Sequence, residues 1–74
     1  MEIAETKSIQ ITVNGEPKSA PQGLNVGQLL DFLAIAPSRV AVELNRLIVR
    51  KADWVTTLVE EGAQLEVVWF VGGG

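Results

Sequence analysis

The chain contains no cysteine and no histidine in its 74 residues. Without thiols it forms neither disulfides nor thiolate metal sites. Without imidazole it lacks the commonest metal ligand and the side chain best matched to acid–base work near neutrality. Zinc, haem and iron–sulfur centres are thereby excluded, as are the Ser-His and Cys-His pairs of nucleophilic catalysis. Long apolar runs are also missing, and none approaches the roughly 18 residues of a membrane span. The acidic start, Met1-Glu2-Ile3-Ala4-Glu5-Thr6-Lys7, lacks the charged-then-apolar layout of a signal peptide. The expectation is a cytoplasmic protein with no membrane partner.

Positive charge is scarce too. Six Lys and Arg stand against nine Asp and Glu, a formal net charge of −3, whereas nucleic acid calls for a basic face. Arg46, Arg50 and Lys51 come nearest to a cluster and read as solvated surface rather than a phosphate site. The carboxylates Asp31, Glu43, Asp53, Glu60, Glu61 and Glu66 are spread over different segments, so nothing marks a pair for general acid–base chemistry. Gly23 and Gly27 match neither a P-loop nor a dinucleotide-binding pattern. No catalytic residue, no metal site and no bound cofactor are expected.

A hydrophobic fraction of 47% suffices for one core in one small, marginally stable domain. Ser8 to Val13 alternates, with Ile9, Ile11 and Val13 on one face, and so reads as a half-buried strand. Asn14-Gly15 supplies the positive φ of a type I′ turn. Glu16 to Ala20 returns as an edge strand bounded by Pro17 and Pro21. Asn25 is a good helix N-cap with Gln28 at capping-box spacing. Val26, Leu29, Leu30 and Leu33 then form one apolar stripe, widened by Phe32 and Ile35. Roughly three turns are expected, ended by Pro37.

Val40 to Leu44 and Leu47 to Arg50 read as strands joined by a tight turn at Asn45-Arg46. Ala52 to Val59 reads as a short helical or 3₁₀ turn, and Glu60-Glu61-Gly62 as a further turn. Gln64 to Phe70 is the last strand. The order β-β-α-β-β-β predicts an α+β fold in which one helix covers one face of a sheet of about five strands. If Leu65 and Val67 face that helix, Val68 and Phe70 are exposed on the other side. Exposed apolar groups often mark contact surfaces, so these two are candidates for partner docking.

The sequence closes on Val71, Gly72, Gly73 and Gly74. Three glycines at a fixed position arise by chance on the order of a few times in ten thousand. Such a run loses more conformational entropy on ordering than any other and adds nothing to the fold. It suits an extended tail that threads a narrow channel and carries the Gly74 carboxylate to its end. The expected division is a loose lead-in at 1–7, a globular domain at 8–70 and a flexible tail at 71–74.

Ile11-Thr12-Val13-Asn14-Gly15-Glu16, Val40-Ala41-Val42-Glu43-Leu44-Asn45-Arg46, Glu61-Gly62 and the ending Phe70-Val71-Gly72-Gly73-Gly74 resemble one family together. Their order and spacing are similar to the ThiS/MoaD family of sulfur carriers, which share the β-grasp fold of ubiquitin. The likeness runs from about Ile9 to Gly74 and is stronger to the thiamine-biosynthesis carriers than to those of molybdopterin synthesis. The longer lead-in departs from the family pattern. The resemblance implies that a partner related to ubiquitin E1 enzymes uses ATP to adenylate Gly74. A persulfide-bearing sulfur donor then supplies sulfur for a thiocarboxylate, and thiazole synthase takes the sulfur. The chain itself is then a carrier and not an enzyme. A ubiquitin-like modifier and a plain interaction domain with an inert tail remain alternatives.

Overall fold

The computed structural model describes residues 7–70. Both candidate terminal segments, apart from Lys7, lie outside them. Asn14 and Gly15 take φ of 51° and 83°, as a two-residue type I′ turn requires. They join β1 (Ser8–Val13) to β2 (Glu16–Pro21) in an antiparallel hairpin. A second hairpin links β3 (Val40–Leu44) to β4 (Leu47–Val49). Its turn residues, Asn45 and Arg46, have φ of 52° and 71°. The final strand, β5 (Gln64–Trp69), runs parallel to β1 and antiparallel to β3. The mixed sheet has the order β2-β1-β5-β3-β4, with β5 at its centre.

Helix α1 (Val26–Phe32) packs across one face of the sheet. Its capping box is complete. The Asn25 carboxamide accepts from the Gln28 N–H at 2.7 Å, and the Asn25 N–H donates to the Gln28 side chain at 2.9 Å. Val26, Leu29 and Leu30 are fully buried against Ile9, Ile11, Val13, Val40, Val42, Leu65 and Val67. Alternation along the strands puts these residues on the helix side.

The helix is shorter than the sequence pattern predicts and stops well before Pro37. Seven residues make about two turns. Leu33 is the C-cap and lies outside the helix. Ala34 then turns left-handed at φ 60°. Its N–H donates to Asp31 O at 3.0 Å, while the Ile35 N–H reaches back to Leu30 O at 2.9 Å. That pair of bonds is the Schellman closure, in which the left-handed site is most often glycine. Pro37 instead opens a 3₁₀ turn, Pro37–Arg39. Phe32 does not widen the buried stripe; it is exposed, whereas Leu33 and Ile35 are partly buried against the core.

Because a left-handed alanine carries steric strain, Ala34→Gly is expected to stabilise the fold by about 0.5–1 kcal/mol. In a domain of this size the melting temperature should rise by about 3–6 °C. An unchanged or lowered melting temperature would mean that the closure holds no strain.

A second 3₁₀ turn, Lys51–Thr56, lies beside α1 and buries Trp54. The Trp54 indole N–H donates to Val49 O at 2.9 Å, so the burial leaves no orphaned donor. Gly62, at φ 82°, makes the turn into β5.

Candidate functional site

Strand β5 connects the core to the glycine run. Leu65 and Val67 point into the core, leaving Glu66 and Val68 on the face away from α1. The Phe70 N–H donates to Arg39 O at 2.9 Å, extending the pairing with the β3 side one residue past β5. Val68 and Phe70 are 57% and 59% exposed, both on the open face by alternation. Trp69 lies on the helix side yet is 50% exposed. A seven-residue helix is about 10 Å long and β5 about 20 Å, so α1 leaves that end of the strand partly uncovered.

Cross-strand register adds two residues that sequence reasoning missed. Ala41 lies directly opposite Val68, and Ile48 lies opposite Glu43 on the other side of β3. Ile48 is 75% exposed. Alternation assigns Ala41 and Ile48 to one face of their own strands, but only long-range pairing places that face beside Val68. Together they form an apolar strip that runs from the edge strand β4 past Glu43 toward Phe70. Val71, Gly72, Gly73 and Gly74 fall outside the described residues.

Two asparagines hold β5 in place. The Asn14 carboxamide oxygen accepts from the Val67 N–H at 2.7 Å, and its amide donates to Val67 O at 3.2 Å. The Asn14 backbone N–H bonds to Leu65 O at 2.8 Å. On the opposite flank Asn45 grips the start of the strand. Its N–H donates to Gln64 O at 2.7 Å and its side-chain oxygen accepts from the Gln64 N–H at 2.9 Å. Each hairpin turn thus supplies strand-like bonds where its own strand has already bent away. Asn14→Gly keeps the positive φ and deletes the side-chain clamp. We expect a loss of about 1–2 kcal/mol, read by urea unfolding, with faster hydrogen exchange at the Val67 amide. Unchanged exchange there would show that the clamp does not hold the strand.

The basic residues do not converge. Arg46 sits in the hairpin turn at one end of β4 and Arg50 follows the other end. The Lys51 ammonium lies 6.0 Å from the Trp54 ring centre. A cleft of about 540 Å³ between α1 and the Lys51–Thr56 turn is lined by Gln28, Asp31, Lys51 and Trp54. It opens on the helix side, away from the strip. Among the described residues no polar or charged side chain is buried, and no group of three acidic, His or Cys residues could hold a metal ion. No helix there is long and apolar enough to cross a membrane. What the described residues offer is an exposed apolar strip that ends at Phe70, the residue before Val71 and the glycine run in the sequence.

A single helix on a five-stranded mixed sheet, with two hairpins joined through a central final strand, is the ubiquitin-like β-grasp architecture. Within that class the chain belongs to the ThiS family, whose model matches residues 7–74. A crystal structure of the thiamine biosynthesis protein ThiS from Geobacter metallireducens superimposes with a TM-score of 0.78 at 36% identity. It covers 89% of this chain and 100% of that one. A thiazole synthase of Magnetococcus marinus is 41% identical over 66 residues, or 89% of this chain and 20% of that protein. A thiazole synthase of Paramagnetospirillum magneticum is 36% identical over a stretch of the same length. The chain thus spans about a fifth of the length of these two relatives.

Proposed function

We propose that the chain is a sulfur carrier of thiamine biosynthesis whose working group is the Gly74 carboxylate. The observation that carries this reading is the family match, which runs through the core and the whole glycine tail. A carboxylate is a poor electrophile, so a partner must activate it. An adenylating enzyme related to ubiquitin E1 proteins supplies that step. A Gly74 oxygen attacks the α-phosphate of ATP, pyrophosphate leaves, and an acyl-adenylate results. The terminal sulfur of a persulfide-bearing donor attacks the acyl carbon and displaces AMP, giving an acyl disulfide. A second thiol then cleaves its S–S bond, leaving a thiocarboxylate on Gly74 and the donor as a disulfide. Thiazole synthase takes that sulfur, and the carrier returns as the carboxylate. The relatives that carry a similar stretch within a thiazole synthase favour this acceptor over molybdopterin synthesis.

The chain's own part in this chemistry is presentation. The strip of Ala41, Ile48, Val68 and Phe70 docks on the partner while Val71 to Gly74 enter its active site. Three extended residues reach roughly 10 Å, which lets the carboxylate react inside a cavity that excludes water from the adenylate. The test is an intact mass after incubation with ATP, the adenylating enzyme and a persulfide donor. The expected result is the gain for one oxygen replaced by sulfur, placed on Gly74 by fragmentation and lost again on adding thiazole synthase. A mass that stays at the bare carboxylate, with no adenylate trapped, would overturn the proposal.

A further inference from the structure

Two glutamates face one another in the middle of the open sheet face. Glu43 of β3 and Glu66 of β5 are direct cross-strand partners, which places their Cβ atoms about 4.5–5.5 Å apart. Their strand neighbours Val42, Leu65 and Val67 are buried in the core, so alternation turns both carboxylates away from α1. Like charges directly opposed in a sheet work against folding. The ion pair seen among the described residues joins Lys18 to Glu16, at 4.0 Å, and includes neither of these glutamates. The face thus keeps a pair of like charges that makes no ion pair among the described residues. Arg50, two residues past Ile48 in extended backbone, is the cation that follows on the same side.

The neighbours of this pair are apolar. Ile48 lies directly across from Glu43 on the far side of β3. Ala41 and Val68, themselves partners, sit two residues along each strand on the same face. Any surface that covers Val68, Ala41 and Ile48 together must also cover Glu43, which lies among them. Covering it strips water from two neighbouring negative charges, and a charge buried without a partner is strongly unfavourable. An occupant of the strip that brings a cation to this point meets both carboxylates and offsets that cost.

Resting on the function proposed above, we propose that thiazole synthase docks on this face with an arginine or lysine seated between Glu43 and Glu66. Ala41, Ile48, Val68 and Phe70 make the apolar contacts around it. Arginine fits best, since its fork bonds two carboxylates while its flat face and stem pack on apolar neighbours. The glutamate pair works against the free carrier's stability and in favour of the docked complex.

The opposed effects make the test. Glu43→Gln and Glu66→Gln each remove the repulsion, and Glu43→Lys turns it into an attraction across the strands. Melting temperatures of the free variants should equal or exceed the parent's, with Glu43→Lys higher by about 2–5 °C. Their affinity for thiazole synthase, measured by calorimetry, should fall about tenfold or more. Binding of the parent should weaken from low to high salt, and binding of the variants much less. Glu60→Gln removes the same charge from an exposed position outside the strands and should change neither property. Variants that bind the synthase as tightly as the parent, with the same salt response, would overturn the cation seat while leaving the carrier function standing. A parent chain that accepts sulfur yet does not bind the synthase would overturn the choice of acceptor, and this proposal with it.

Discussion

Under the function proposed above, Gly73→Val should give a chain that folds as the parent does and is not activated. Among the described residues the buried core ends at Val67, six positions before Gly73 in the sequence. A tail threading a channel shaped for glycine has no room for a β-branched residue, and valine restricts the backbone as well. Displacing the reacting carboxylate by even 1 Å can slow a reaction by on the order of a hundredfold. We expect at least that loss in ATP–pyrophosphate exchange and no thiocarboxylate in the intact mass. Circular dichroism and the melting temperature should match the parent. Activation at the normal rate would overturn the narrow-channel reading.

Trp54→Ala should be the most damaging single change to the fold. The ring is buried beside α1, close enough that a Cβ added to Gly27 would stand 4.0 Å from the Trp54 Cβ. Its N–H is satisfied by Val49 O. Emptying such a site removes about 3–5 kcal/mol, against a total of roughly 4–11 kcal/mol for a domain of this length. Urea unfolding should show a much lower midpoint with an unchanged slope. Trp54→Phe keeps most of the packing, loses the bond to Val49, and should lie between the two. A midpoint for Trp54→Ala within about 1 kcal/mol of the parent would mean that the 3₁₀ turn is not part of the core.

What was legible in the sequence was local. Asn14-Gly15 announces its turn, Asn25 and Gln28 announce a capping box, and the alternation in β1 assigns its buried face. In β5 alternation leaves two candidate faces, of which the structure buries that of Leu65 and Val67. The end of α1 was not legible, because its Schellman closure uses an alanine where glycine would be the signal. Pro37, the next strong punctuation, looked like the stop. Trp54 gave no sign of its depth, since a six-residue 3₁₀ turn has too little periodicity to show an inward side.

The site divides the same way. Val68 and Phe70 follow from alternation once Leu65 and Val67 are taken as core. Their companions Ala41 and Ile48 depend on the β3–β5 and β3–β4 registers, which no local pattern encodes. The clamp by Asn14 reaches 53 residues along the chain, and turn propensity alone accounts for an asparagine there. The opposition of Glu43 and Glu66 is likewise visible only after the strands are paired.

The place of β5 in the sheet has a consequence for how the chain folds. The β1–β2 and β3–β4 hairpins join neighbours in sequence, and each can zip up early, since short loops close fast. Neither touches the other in the strand order. In the sheet they meet only through β5, which follows every other described element in the sequence. Its pairing with β1 spans about 50 residues, the kind of high-contact-order contact that slows folding. The bond from Phe70 to Arg39 exists only once β5 is in place. A half-folded chain therefore lacks both the strip and the anchored Phe70, and under the function proposed above competence for activation would double as a report that folding is complete.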